Sequence, residues 1–345
     1  MRIKRITTAI KRRLKRRLHV KAKKAPDALR WGIIGLGNMA QVFADALNGN
    51  TSSMLVSVAS RSTEKADAFA RRNGVSKSYG SYDEMMADDS LKLDVVYVAT
   101  PVKCHFEHIK MCLSSGKNVL CEKPIACTSA ELEELVSMAR QQRCFLMEGM
   151  WMKCLPVFRQ AKRMIYDGKI GKVELIRVDF YKREVVDPKR SIFNKSEGGG
   201  VLMDYGIYAL AFALDFLGGE PERLRYEVRK NNLGIDTDWS IVMSRGGTRS
   251  IVNISSNFNS ASKATVVGTE GSIEWDAQFN RTNHIKRFNA QNQLQEEIRI
   301  EYDFDGYEYE ISHVGECLNK GLKESDFVPL DSSIAALRIV DSLTK

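Results

Sequence analysis

The chain has 345 residues, 43% of them hydrophobic, and a net charge of +9. That length predicts two domains, and the composition excludes a largely disordered protein. Residues 1–25 hold twelve Lys or Arg and no acid, and the forty basic residues left against 43 acidic ones give −3. The folded body therefore lacks the basic surface that nucleic-acid binding needs.

At the start of the chain Ile3, Ile6, Ile10, Leu14 and Leu18 recur every three or four residues, with Lys and Arg on the other faces. This predicts a basic amphipathic helix within an extension of residues 1–29. Three readings stand: residues 1–24 as a reversible attachment to an anionic membrane surface, an Arg-rich transit segment, or a solvated extension. Seven cysteines without a C-x-x-C pair and without a secretory signal fit a reducing compartment, so a cytoplasmic protein is expected, with membrane contact only through the basic segment. The five histidines show no zinc spacing, and no metal is expected. No apolar run reaches the length that spans a bilayer.

Residues 30–35 predict a short buried strand, Gly35-Leu36-Gly37 a tight turn, and Asn38-Met39-Ala40 the start of a helix. In this G-x-G-x-x-A pattern the glycines let the backbone approach a pyrophosphate at the helix N-terminus. The next strand, Leu55–Ala59, ends in Ser60 and Arg61, with Lys65 one turn on. An NAD-selective site carries an acid there to hold the ribose 2′-hydroxyl. Its absence, with Arg61 and Lys65 at hand, favours NADP, while NAD stays the alternative if both cations only face solvent.

Helices over 63–73 and 82–87 lead to a strand over 93–99, a turn at Thr100-Pro101, a helix over 105–113 and a strand over 117–121. That strand ends in Glu122-Lys123-Pro124, which places a lysine where parallel sheets hold ligands. Thr128-Ser129-Ala130-Glu131 reads as a capping box opening a helix to about Gln142. Strands alternating with helices predict an N-terminal Rossmann parallel-sheet domain over residues 30–150.

From Trp151 the pattern changes. A helix over 157–167 is followed by a strand over 173–180, a helix over 201–217, and strands near 224–229, 239–244, 249–256, 263–268, 272–276, 284–289 and 296–301. Strands in such succession predict an α+β domain with a large, mostly antiparallel open sheet over residues 151–331. A final helix, residues 332–345, is expected to pack back on the body. Asp204 and Tyr208 stand four apart, on one helix face. Taken alone they read equally as a buried hydrogen-bonded pair, and Lys123 as a surface ion pair or a proton donor.

Taken together, Gly35–Ala40, Ala99-Thr100-Pro101 with His105, Gly116–Pro124 and Gly198–Tyr208 resemble the Gfo/Idh/MocA oxidoreductases. The match is closest to the branch with dimeric dihydrodiol dehydrogenase and glucose–fructose oxidoreductase. One departure is Val102, where the family often has Asn. The resemblance implies cofactor contacts from Thr100, Pro101, His105, Glu122 and Lys123, beside those of Gly35 to Met39, Ser60, Arg61 and Lys65. It places Asp204 and Tyr208 in a substrate pocket beside Lys123, with Trp151 and Lys153 near it; Tyr181, just beyond a strand end, is a further substrate candidate. It also implies a homodimer or homotetramer built on the second sheet.

The activity expected is hydride transfer between nicotinamide and a secondary alcohol or carbonyl of a small-molecule sugar, polyol or diol. Either Tyr208 or Lys123 moves the proton, and Asp204 holds substrate or orients Tyr208. A redox-neutral enzyme with tightly bound cofactor and a non-catalytic NADP(H)-binding regulator are the alternatives.

Overall fold

A computed structural model describes residues 23–187, 190–194, 198–302 and 304–344; the predicted basic helix over residues 3–18 lies outside them. None of the helices among the described residues is long and apolar enough to cross a membrane. The chain forms two compact units. The first takes in the described residues through Glu122, then Glu134–Trp151 and Tyr302–Asp326; the second takes in Lys123–Glu133, Met152–Glu301 and the chain from Phe327. Tyr302–Asp326, expected in the second domain, thus belongs to the first unit.

The first unit is built on β1 (Leu29–Ile34), β2 (Ser53–Ala59), β3 (Lys77–Tyr79), β4 (Val95–Val98), β5 (Asn118–Glu122) and β6 (Leu146–Gly149). All are parallel in the order β3-β2-β1-β4-β5-β6. This is the doubly wound order, whose direction reverses between β1 and β4 and opens a crevice at their carboxyl ends. Every residue of β4 is buried, as expected of a strand covered on both faces. Helix α1 (Asn38–Gly49) buries Ala40, Phe43, Ala44 and Leu47, a helical stripe. Helices α2 (Thr63–Asn73), α3 (Tyr82–Ala87) and α4 (His105–Ser114) follow the predicted spans.

Two strands and one helix were not expected. β3 has three residues and β6 four, too few to show a period. The helix Tyr307–Asn319 buries Tyr307, Glu310, Ile311, His313, Val314 and Cys317; the two polar residues in that stripe hide it from a hydropathy reading.

In chain order α5 (Ser129–Gln141) follows β5, and α6 (Pro156–Tyr166) follows β6. The capping box that opens α5 forms: Thr128 Oγ1 accepts from the Glu131 N–H, and Glu131 Oε2 accepts from the Cys127 N–H. In the second unit β7 (Val173–Tyr181), β8 (Arg223–Lys230), β9 (Asp236–Arg245), β10 (Thr248–Ser255), β11 (Ala264–Gly268), β12 (Gly271–Trp275), β13 (His284–Asn289) and β14 (Leu294–Arg299) form one sheet. Its order is β14-β13-β12-β11-β7-β10-β9-β8, antiparallel except for the β7–β10 pair.

The expected single helix over 201–217 is two pieces: a π-helical turn, Leu202–Gly206, and α7 (Ile207–Leu217). α7 is apolar but for Asp215 and Tyr208 and almost wholly buried, packing against β7, β10 and the last helix. With α8 naming Tyr307–Asn319, that last helix is α9 (Leu330–Thr344), as expected. Phe212 and Phe216 of α7 pack ring to ring with Phe158, Trp275 and Phe279.

Candidate active site

The glycine turn after β1 divides into two roles. Gly35 has φ +82°, and a Cβ there would meet Thr100 Cγ2 at 2.6 Å and the Thr100 nitrogen at 2.7 Å. A side chain would thus push β1 away from the end of β4. Gly37 faces open space, with nothing within 4 Å of an added Cβ. Its glycine is not required by packing within the protein. It precedes α1 as an N-cap without a side-chain cap. The first N–H groups of α1, beginning at Asn38 and Met39, are left for an external acceptor, and Leu36 and Ala40 are buried behind them. An open cradle over an uncapped helix N-terminus fits the pyrophosphate of a dinucleotide.

At the end of β2, Ser60 is buried while Arg61 and Lys65 are exposed. Ser62 caps α2 by accepting from the Lys65 N–H and donates to Glu64, whose carboxyl is held below its ordinary range by that bond. Thr100 is fixed from two sides: His105 Nε2 lies 2.7 Å from its carbonyl and His108 Nδ1 lies 2.9 Å from its hydroxyl. Burial, then the nearby Arg61 charge, lowers the His108 pKa. Pro101 stands exposed beyond Thr100, whereas His105 is buried, so its visible part is to hold the loop.

Glu122 ends β5 with its carboxylate accepting from the hydroxyl of Tyr97, a ring stacked on Phe43 at 3.7 Å. Glu148 lies next door on β6, and both act electrostatically on Glu310 of α8. Glu310 is fully buried, and neither carboxyl oxygen has a hydrogen-bond partner among the described residues. Desolvation first, then the charges of Glu122 and Glu148, drive its pKa well up and favour the protonated form. No motif announced Glu310; an acid on the apolar stripe of a helix was the signal.

In the second unit the lysine of Glu122-Lys123-Pro124 is 14% exposed and fully committed. Its Nζ donates to the Asp204 carbonyl and to Asp204 Oδ1, both at 2.9 Å, and lies 4.9 Å from the centre of the Tyr208 ring. Asp204 sits in the π-helical turn, whose place is set by a packed frame. Asp236 Oδ2 accepts from the Leu202 N–H and from the Trp239 indole. Gly200 has φ +139°, and a Cβ there would meet Asp236 Oδ1 at 2.2 Å, so only glycine leaves room for that carboxylate. Tyr208 stacks over Phe180 at 6.4 Å and Tyr205 over the same ring at 5.0 Å.

Of the weaker candidates, Trp151 stacks on Tyr307 at 4.6 Å in the first unit. Lys153 forms an ion pair with Asp215 of α7 at 3.2 Å, the two side chains 2% and 6% exposed. Tyr181 donates to Asp179. Strand alternation turns Tyr181 away from Phe180, so the structure does not bring it to Tyr208. Sequence reasoning missed Glu184. It accepts from Tyr205, Lys182 and Arg190, and the Arg190 bond leads in holding its pKa down to about 2.

Comparison with known proteins agrees with this fold. Residues 29–150 match an oxidoreductase family with an NAD-binding Rossmann fold, and residues 158–274 match the GFO/IDH/MocA C-terminal domain. The trans-1,2-dihydrobenzene-1,2-diol dehydrogenase of Mus musculus is 33% identical over 92% of this chain and 96% of its own. Among solved structures, an aldose-aldose oxidoreductase from Caulobacter crescentus complexed with glycerol superposes with a TM-score of 0.81, at 23% identity over 92% of this chain and 96% of that one. A 3-ketoreductase from Actinomadura kijaniata in complex with NADP and TDP-benzene gives 0.79, at 22% identity over 91% and 96%. With its parallel dinucleotide-binding sheet and its second, mostly antiparallel one, the chain belongs to the Gfo/Idh/MocA family and is an NAD(P)-binding oxidoreductase.

Proposed function

We propose that the protein is an NADP-preferring dehydrogenase for a vicinal diol, sugar or polyol, with Tyr208 as the proton-transferring group and Lys123 as its electrostatic partner. One observation carries the reading: the Lys123 ammonium, pinned by two oxygens of Asp204, lies over the Tyr208 ring. Bound nicotinamide would supply the exchange of a hydride with the substrate carbon. The residues then handle the proton. In oxidation Tyr208, as a phenolate stabilised by the Lys123 charge, takes the alcohol proton and becomes the neutral phenol; in reduction the phenol gives that proton to the carbonyl oxygen and Lys123 stabilises the phenolate that forms. Asp204 holds Lys123 in place and offers its second carboxylate oxygen, on a half-exposed side chain, to a substrate hydroxyl.

The uncapped start of α1 and Gly37 would hold the pyrophosphate, and Arg61 and Lys65 the 2′-phosphate. Diol specificity is supported by relatives named as dihydrodiol dehydrogenases at 30–33% identity. The test is turnover of diols and aldoses followed by NADPH absorbance, with Tyr208→Phe and Lys123→Ala as controls. Normal turnover in both variants removes the proton scheme. Cofactor that stays bound through purification, with no net NADPH change during turnover, replaces the dehydrogenase with a redox-neutral enzyme.

Self-association is proposed for the sheet face opposite α7. There Arg225, Val242 and Ile251 stand side by side on β8, β9 and β10, and Val242 is 39% exposed. Light scattering reads the assembly: a monomer, or an oligomer indifferent to Val242→Asp, removes this surface.

A further inference from the structure

Away from the site above, in the first unit, three side chains of metal-binding chemistry converge. His313 and Cys317 are four apart on α8, so they share one face. Gly321, with φ +71°, turns the chain at the end of that helix, and Asp326 comes back against them. His313 Nε2 lies 3.5 Å from Cys317 Sγ and 3.6 Å from Asp326 Oδ1, and the three donor atoms all fall within 4.8 Å of one another.

Those separations have a direct meaning. A zinc ion holds imidazole nitrogen at about 2.0 Å, thiolate at about 2.3 Å and carboxylate at about 2.1 Å in a tetrahedron, which sets N···S at about 3.5 Å and N···O at about 3.3 Å. The N···S separation of 3.5 Å matches its edge, and the N···O separation of 3.6 Å is a few tenths of an ångström longer than its own. One ring nitrogen, with a single lone pair or a single proton, otherwise has to serve three neighbours, since Ser325 Oγ also stands 2.7 Å from it.

We propose that His313, Cys317 and Asp326 form a site for a borderline-soft divalent cation, zinc fitting best, with a fourth position open to water. Sulfur and imidazole together select against magnesium and calcium, which take oxygen ligands. On binding, the Cys317 thiol gives up its proton to solvent, the Ser325 hydroxyl rotates off Nε2, and the Asp326 carboxylate closes on the sulfur. That carboxylate is 65% exposed, so it supplies both the freedom to move and the path of entry, while His313 and Cys317 stay buried. The cation then ties the segment from Lys320 to Asp326 onto α8. It takes no part in hydride transfer. The proposal departs from the expectation of no metal, which weighed histidine spacings and overlooked a histidine paired with a cysteine one turn on.

The experiment is a titration of the chelator-treated full chain with Co²⁺. A single equivalent should produce thiolate-to-cobalt charge-transfer absorption and visible bands of tetrahedral intensity, and Zn²⁺ should erase both and raise the melting temperature. Cys317→Ser should abolish the charge-transfer band. Asp326→Asn changes an exposed residue and so keeps its fold; it should weaken Co²⁺ binding at least tenfold, on the order of what losing even an outer partner costs. No band in the wild-type chain, a band that survives Cys317→Ser, or an unchanged affinity in Asp326→Asn overturns the proposal.

Discussion

The glycine turn after β1 and the lysine clamp around Tyr208 are built on opposite plans. The turn works by the absence of side chains: Gly35 lets two strands approach, and Gly37 leaves a space that nothing in the protein fills. The clamp works by side chains that commit one another, Lys123 to Asp204 and to the Tyr208 ring. A site made of missing atoms is tolerant of its surroundings and sensitive to any addition. A site made of mutual contacts responds to any deletion.

The largest effect expected falls on the clamp. Tyr208→Phe and Lys123→Ala should each lower kcat by about 10²–10⁴-fold, the usual contribution of a positioned acid or base, with NADP(H) affinity unchanged by fluorescence titration. Equal losses in kcat and in cofactor affinity would merge the two plans into one.

The turn makes a sharper contrast within itself. Gly35→Ala should lose ~2 kcal/mol of stability in urea unfolding, because φ +82° is costly for a side chain and its Cβ would crowd Thr100. Gly37→Ala should leave stability within ~0.5 kcal/mol, as substitutions away from packed features do, yet weaken cofactor binding. If both glycines behaved alike, the open cradle would have no distinct role. A smaller change is expected from Arg61→Ala: a several-fold loss of NADP affinity measured by calorimetry, with NAD affinity kept.

Stability against pH reads a group outside both the turn and the clamp. Glu310 has its pKa raised in the folded state, so the folded chain holds a proton that the unfolded chain releases above its ordinary 4.5. The stabilisation is whole below that value and declines as pH climbs toward the raised pKa, by up to about 1.4 kcal/mol per pH unit. Glu310→Gln keeps the shape and removes this slope, which urea midpoints across the acidic and neutral range would read.

What could be read from the sequence follows the same division. The strands other than β3 and β6, the glycine turn and the capping box at Thr128 are local patterns, and each forms where it was expected. The pairing of Asp204 with Lys123 joins residues 81 positions apart, and only the family motifs brought them together. Helix α8 escaped notice because Glu310 and His313 stand on its buried face. The crowding at Glu184 escaped it too, since no spacing links Lys182, Arg190 and Tyr205. Local periodicity reports backbone; it does not report which distant charges will meet.

The π-helical turn at Leu202–Gly206 has one further consequence. A π turn carries an additional residue over the span of an ordinary one, so the direction of Asp204 depends on chain length there as well as on residue identity. Removing one residue from the turn would restore regular helical bonding and swing the preceding positions by about 100° around the axis. Such a deletion is expected to abolish turnover and, because buried Leu202 and its bond to Asp236 would be displaced, to lower the melting temperature as well; a surviving activity would refute it. In this protein a single-codon loss, more than any conservative replacement, is the shortest route from enzyme to inert scaffold.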